Sequence, residues 1–132
     1  MAEKFENEAW TDIQEAPVDT SLSYYAVVFD AGNFYYFGGL GDTGDLNSIL
    51  RLNAATWAWS TVGQLNSARR GHGVMMVGNT FMVIGGVEIQ PTETCNLNNG
   101  QFTCEEKNTR LNRYYYTPSV FLVSDDFELC QN

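Results

Sequence analysis

Basic residues are scarce in this chain. Seven Lys and Arg stand against 16 Asp and Glu, a formal charge of -9 over 132 residues. That balance argues against a nucleic-acid backbone, whose affinity comes largely from Lys and Arg displacing counterions. It argues equally against an anionic membrane surface. Histidine is scarcer still, with His72 the only one. One imidazole cannot supply a multi-histidine copper centre. Long apolar runs are missing too. The longest, such as Val74–Val77 and Phe81–Ile84, fall far short of a membrane span, so no membrane insertion is expected. Met1–Asp12 is polar and acidic, without the apolar core of a secretory leader. No Asn-x-Ser/Thr sequon occurs. There is no Gly-x-Ser-x-Gly nucleophile, no Cys/His pair and no convincing carboxylate pair. The chain reads as a non-enzyme without cofactor or metal.

What is present is a repeat. Hydrophobic residues make up 44% and aromatics 14%, with 12 glycines, so this is not a disordered acidic tail. Ala26–Gly39 and Gly73–Gly86 match at an offset of 47: an apolar run, a Gly/Asn turn, a second apolar run, then a Gly-Gly pair. Trp10–Gln14 matches Trp59–Gly63 at an offset of 49. A third copy starts near Tyr116, where Val120–Phe127 matches Val74 onward at an offset of 46. On that register Gln131-Asn132 fall where a Gly-Gly pair is due.

The runs are rich in Val, Phe, Tyr and Ile and bounded by Gly, Asn and Asp, which predicts strands. No capped, 3.6-periodic helix competes. Four strands are expected per repeat: Ser23–Phe29, Phe34–Phe37, Ser48–Leu52 and Trp57–Val62, then Gly71–Val77, Asn79–Ile84, Thr92–Leu97 and Gln101–Glu106. Gly32-Asn33 and Gly78-Asn79 read as two-residue hairpin turns.

A four-stranded unit of about 47 residues, with Gly-Gly after its second strand and Trp in its fourth, resembles the kelch repeat of β-propellers. The residues carrying the resemblance are Gly38-Gly39, Arg51, Trp59, Arg69-Arg70-Gly71-His72-Gly73 and Gly85-Gly86, within residues 10–130. The second repeat departs from the pattern, because Phe102 or Cys104 lies where its Trp is due. The resemblance implies an all-β array of blades around a channel. Residues 1–17 are expected to form the outer strand of a preceding blade. Residues 18–65 and 66–111 are then full repeats, and 112–132 a partial one. Gly38, Gly39, Trp57, Trp59, Arg69, His72, Gly85 and Gly86 are read as structural residues of such blades.

The cysteines add a local expectation. With Asn99-Gly100 as the turn, Cys95 faces Cys104 at a non-hydrogen-bonded pair, where Cα atoms come to roughly 4.5 Å. A cross-strand disulfide is expected there. Cys130 is left over and points to a partner outside this segment. The Cys–hairpin–Cys, the later Tyr-x-Pro and the closing Phe-x-x-Cys look like a kelch variant of extracellular proteins. This favours a secreted chain. The polar Met1–Asp12 keeps a cytoplasmic location as the alternative.

The loop Gly38–Asp45 is Gly-rich but lacks the spacing of an EF-hand and the Lys of a nucleotide loop, so it reads as an exposed inter-strand connection. Leu40, Asp42 and Asp45, with Glu88, Gln90 and Glu93 one repeat later, are the candidate partner contacts. Glu105–Arg110 reads as a solvated connection and Tyr114–Tyr116 as blade packing. The expected function is a binding or structural module that presents inter-strand loops to a protein partner or to further copies of itself. The alternative is a carbohydrate-binding or enzyme-associated propeller domain, dependent on Tyr115 or Trp57. At about 47 residues per repeat the chain holds about 2.8 repeats, and two copies about 5.5. Closed propellers need at least about four blades, so one chain is not expected to close a ring alone.

Overall fold

A computed structural model describes residues 2–17, 23–88 and 90–110. The described residues form ten strands and no helix: β1 (Ala2–Glu6), β2 (Ala9–Ile13), β3 (Ala26–Asp30), β4 (Asn33–Gly41), β5 (Gly44–Asn53), β6 (Trp59–Gln64), β7 (Gly73–Val77), β8 (Thr80–Ile84), β9 (Pro91–Asn98) and β10 (Gln101–Arg110). They build a two-stranded hairpin, β1-β2, and two four-stranded antiparallel meanders, β3-β4-β5-β6 and β7-β8-β9-β10. The third sequence copy, with Tyr114–Tyr116 and Cys130, lies outside the described residues.

Turn chemistry sets the register. Asn99 and Gly100 both have positive φ (51° and 77°), as a type I′ hairpin turn requires. The ladder then pairs Asn98 with Gln101, Leu97 with Phe102 and Cys95 with Cys104. The first turn falls one residue earlier than the sequence suggests. Asp30 pairs with Asn33, so Ala31-Gly32 make the turn, at φ 44° and 79°. Asn33 joins the strand because its side-chain amide donates to the Ala31 carbonyl at 3.0 Å.

Two elements differ more. β4 and β5 continue through the expected Gly-rich loop, with Leu40 opposite Asp45 and Gly41 opposite Gly44. Only Asp42-Thr43 remain as the turn. At the N-terminus, one strand was expected in residues 1–17 and two are present. Asn7 and Glu8, both at positive φ, fold β1 back on β2 and set Phe5 opposite Trp10.

The two meanders stack face to face with like strand beside like: β3 lies near β7 and β6 near β10. One face of the first sheet carries Tyr35, Phe37, Ile49 and Val62 into the core. One face of the second brings Phe81, Val83, Cys95 and Phe102 to meet them. The aromatic rings interlock edge to face, with Tyr35–Phe102 centroids 5.3 Å apart and Phe81–Phe102 5.0 Å. Gly63 makes the approach possible, since a Cβ there would sit 2.7 Å from the Phe102 Cβ.

Register also explains the missing Trp of the second repeat. In the first sheet Phe34, Leu52 and Trp59 lie in one cross-strand row. The corresponding row of the second sheet is Phe81, Cys95 and Cys104. Cys104 therefore stands where Trp59 stands, and it is joined to Cys95 by a disulfide, with Cα atoms 4.1 Å apart. A covalent bond replaces a Leu–Trp contact. Its loop is short, with the two cysteines nine residues apart. Reduction is therefore expected to cost about 2–3 kcal/mol, read as a lower urea midpoint. Intact mass with and without reductant checks the bond. Two free thiols at Cys95 and Cys104 in natively prepared protein would contradict it.

Candidate interaction site

The meander topology sends the β4–β5 turn, the 65–72 connection and the 85–90 loop to one end of the stacked sheets. The turns at 31–32, 54–57, 78–79 and 99–100 lie at the other. The first end gathers most of the polar residues singled out in the sequence.

Its centre is Arg69, 1% exposed. The 65–72 connection runs between the two Gly-Gly pairs and bonds to both sheets. The Arg69 carbonyl accepts from Gly39 N at 2.8 Å, and the Arg70 carbonyl accepts from Val87 N at 3.1 Å. Gly38 must lack a side chain, because at φ 54° a Cβ would lie 2.6 Å from the Arg69 carbonyl oxygen. The Arg69 guanidinium donates to the carbonyls of Gly85 (3.2 Å) and Pro91 (2.9 Å) and to Glu93 Oε1 (2.8 Å). Burial pulls this guanidinium below its usual pKa, and the charge of Glu93 pulls it back.

Glu93 corrects an expectation. It was placed among the exposed partner contacts, yet it lies in β9, fully buried. The cause is Arg69: a buried guanidinium requires a counter-charge. Glu93 also accepts from Asn66 N (2.7 Å), Asn66 Nδ2 (3.1 Å) and Ser67 N (3.0 Å). Three other candidates are similarly engaged. Leu40 is half-buried and pairs through its backbone with Ser23. Asp45 forms an ion pair with Arg70. The Gln90 side chain donates to the Ala68 carbonyl at 2.8 Å. Asp42 and Glu88 are the two that stand exposed.

His72 lies beside this connection, 4% exposed, and neither ring nitrogen has a hydrogen-bond partner. Burial pushes its pKa down to about 4. Arg69 adds to the shift, and a backbone interaction with Phe37 opposes it weakly. The unfolded chain, near the usual 6.5, takes up the proton first. The stability that neutral His72 provides is complete above about pH 6.5 and is lost as pH falls towards 4. The loss by pH 4 is expected to be on the order of 3 kcal/mol. Urea midpoints across this range check it, with His72→Gln expected to remove that part of the slope.

Glu93, Cys95 and Cys104 bring three ligand-type atoms within 4.8 Å of one another. The two sulfurs are bonded to each other, and both Glu93 oxygens already accept hydrogen bonds. The cluster is thus a packed junction in the core.

The feature that sequence reasoning missed is the outer face of the first sheet. Tyr25, just before β3, and Val27 and Phe29 within it alternate and are exposed (39%, 46% and 57%). Tyr25, Tyr36 and Trp59 form a line of rings with centroids 5.0 Å apart. Phe29 stacks on Phe34 at 4.8 Å. Alternation along Tyr25–Phe29 carried the signal, but the segment is apolar at nearly every position, which hides an outer face. No family model matches the chain, and neither does any curated protein.

Proposed function

We propose that the chain is a kelch-type propeller segment acting as a non-enzymatic binding module that presents its polar end to another macromolecule. The observation that supports this is the stacking of like strand on like, with each Gly-Gly pair set against the buried Arg69 connection. That packing fixes a platform, and a rigid platform presenting short loops suits recognition. The surface offered is the Asp42-Thr43 turn and the exposed Glu88. Its acidic side chains suit a basic protein partner. The carbohydrate alternative rests on Tyr115, which lies outside the described residues, and on Trp57, which is half-buried in the β5–β6 turn at the opposite end. Secretion fits the disulfide between Cys95 and Cys104. Photo-crosslinkers placed at positions 42, 88 and, as the opposite-end control, 78 test the reading. Partner adducts at 42 and 88 but not 78 are expected. Adducts confined to 78 would overturn it.

A further inference from the structure

The Cys95–Cys104 bond locks the hairpin that anchors the 65–72 connection, and we infer that it is a redox switch: reduction by a dithiol loosens that connection and, through it, the turn and loop offered to a partner. The inference rests on the binding reading above, whose surface it regulates.

The connection grips both strands of the disulfide-bonded hairpin. Asn66 Nδ2 donates to Glu93 Oε2 in β9 at 3.1 Å and to the Cys104 carbonyl in β10 at 3.0 Å. Ser67 bridges the same two strands. Its N–H donates to Glu93 Oε1 at 3.0 Å, and its hydroxyl donates to Glu106 Oε1 at 2.8 Å. Glu93 faces Glu106 in the ladder as Cys95 faces Cys104, two positions along the same strands. Moving β10 away from β9 therefore pulls on two consecutive residues of the connection at once.

Reduction supplies that movement. Two thiol sulfurs stand at van der Waals distance, farther apart than two bonded ones. Cys95 is fully buried in the core with Phe81 and Phe102, so it has no room to retreat. Cys104 is half-buried, and among the described residues its strand is the edge of the sheet, paired only with β9. β10 is thus the strand that yields. It carries the Cys104 carbonyl and Glu106, which are the connection's anchors on that side.

The partial exposure of Cys104 also admits the reductant. A thiolate of the dithiol attacks the Cys104 sulfur and expels Cys95, which takes a proton. The second thiol of the reductant then attacks the first, expels Cys104 in the same way and leaves as a cyclic disulfide. Two electrons pass to the protein, and the two protons of the dithiol end on the two cysteines.

Downstream of the connection lies the proposed binding surface. Arg70 forms its ion pair with Asp45, just after the Asp42-Thr43 turn. The Arg70 carbonyl accepts from Val87 N at 3.1 Å, and the Ala68 carbonyl accepts from the Gln90 side chain at 2.8 Å. Those two bonds flank Glu88. Exposed Asp42 and Glu88 are both tethered through 65–72 to the hairpin that the disulfide locks.

Hydrogen exchange on the full chain carrying Cys130→Ser, oxidised or reduced with dithiothreitol, tests the switch. That change leaves Cys95 and Cys104 as the only cysteines. On reduction the Asn66, Ser67 and Val87 amides are expected to exchange about tenfold faster, while the β4–β5 ladder keeps its protection. The oxidised Asn66→Ala/Ser67→Ala variant keeps its backbone amides but loses its bonds to β10. It is expected to match the reduced protein, and reducing it is expected to add little. Three results would each overturn the switch: a bond that dithiothreitol leaves intact in native protein, unchanged exchange at 66, 67 and 87, or a uniform rise across both sheets. The exchange measurement needs no partner, so its failure leaves the binding reading standing. Adducts confined to 78 in the cross-linking test would remove that reading and leave the loosening of 65–72 in place.

Discussion

Replacing Arg69 with methionine is expected to destabilise the protein by about 3–5 kcal/mol, the usual cost of breaking a buried ion pair from one side. The change leaves Glu93 charged at 0% exposure, with bonds from Asn66 and Ser67 but no counter-charge. It also strips donors from the Gly85 and Pro91 carbonyls. Those carbonyls belong to the second sheet, whereas the Arg69 backbone nitrogen donates to Leu46 in the first, at 3.0 Å. The variant should therefore loosen the seam between sheets before either meander melts. Urea unfolding measures the cost. Adding Glu93→Leu to Arg69→Met should recover much of the loss, because an apolar pair of similar volume replaces a buried ion pair at little net cost. A single variant as stable as the parent would show that the pair does not hold the seam.

The second large effect is a matched comparison. Phe81 is 2% exposed, with rings of Tyr35, Phe37 and Phe102 around it. Phe81→Ala should cost about 3–5 kcal/mol through lost burial and the cavity left behind. Phe34 holds the same place in the first sheet, in the row with Leu52 and Trp59. Among the described residues no sheet covers its outer face, and Phe34→Ala should cost markedly less. Urea midpoints of the two variants measure the difference, and equal costs would show that Phe34 is packed as tightly as Phe81.

Much of this fold was legible because its turns carry their own chemistry. Asn99-Gly100 announced a type I′ hairpin, and from it the β9–β10 register followed as far as Glu106 opposite Glu93, including the Cys95–Cys104 pairing. Beyond it the ladder shifts to set Arg110 opposite Pro91, so Glu105–Arg110, expected as a solvated connection, continues β10 instead. The repeat offset located both Gly-Gly pairs and the strands before them. The β1 strand was missed because Asn7-Glu8 is a weaker turn signal than Asn-Gly. The β4–β5 ladder was cut short because glycine was read as loop. Glu93 was misplaced for a different reason. A carboxylate in a strand pattern looks solvent-facing until its partner is known, and Arg69 is 24 residues away. Sequence period identifies the strands. It does not pair charges across a seam, and it does not show which of two apolar faces is left uncovered.

Hydrogen exchange on the Arg69→Met variant tests the central claim, that this buried residue ties the two sheets together, most directly. The account predicts faster exchange along 65–72 and 85–91, with the ladders of β4–β5 and β8–β9 still protected. Protection unchanged along the seam would contradict it.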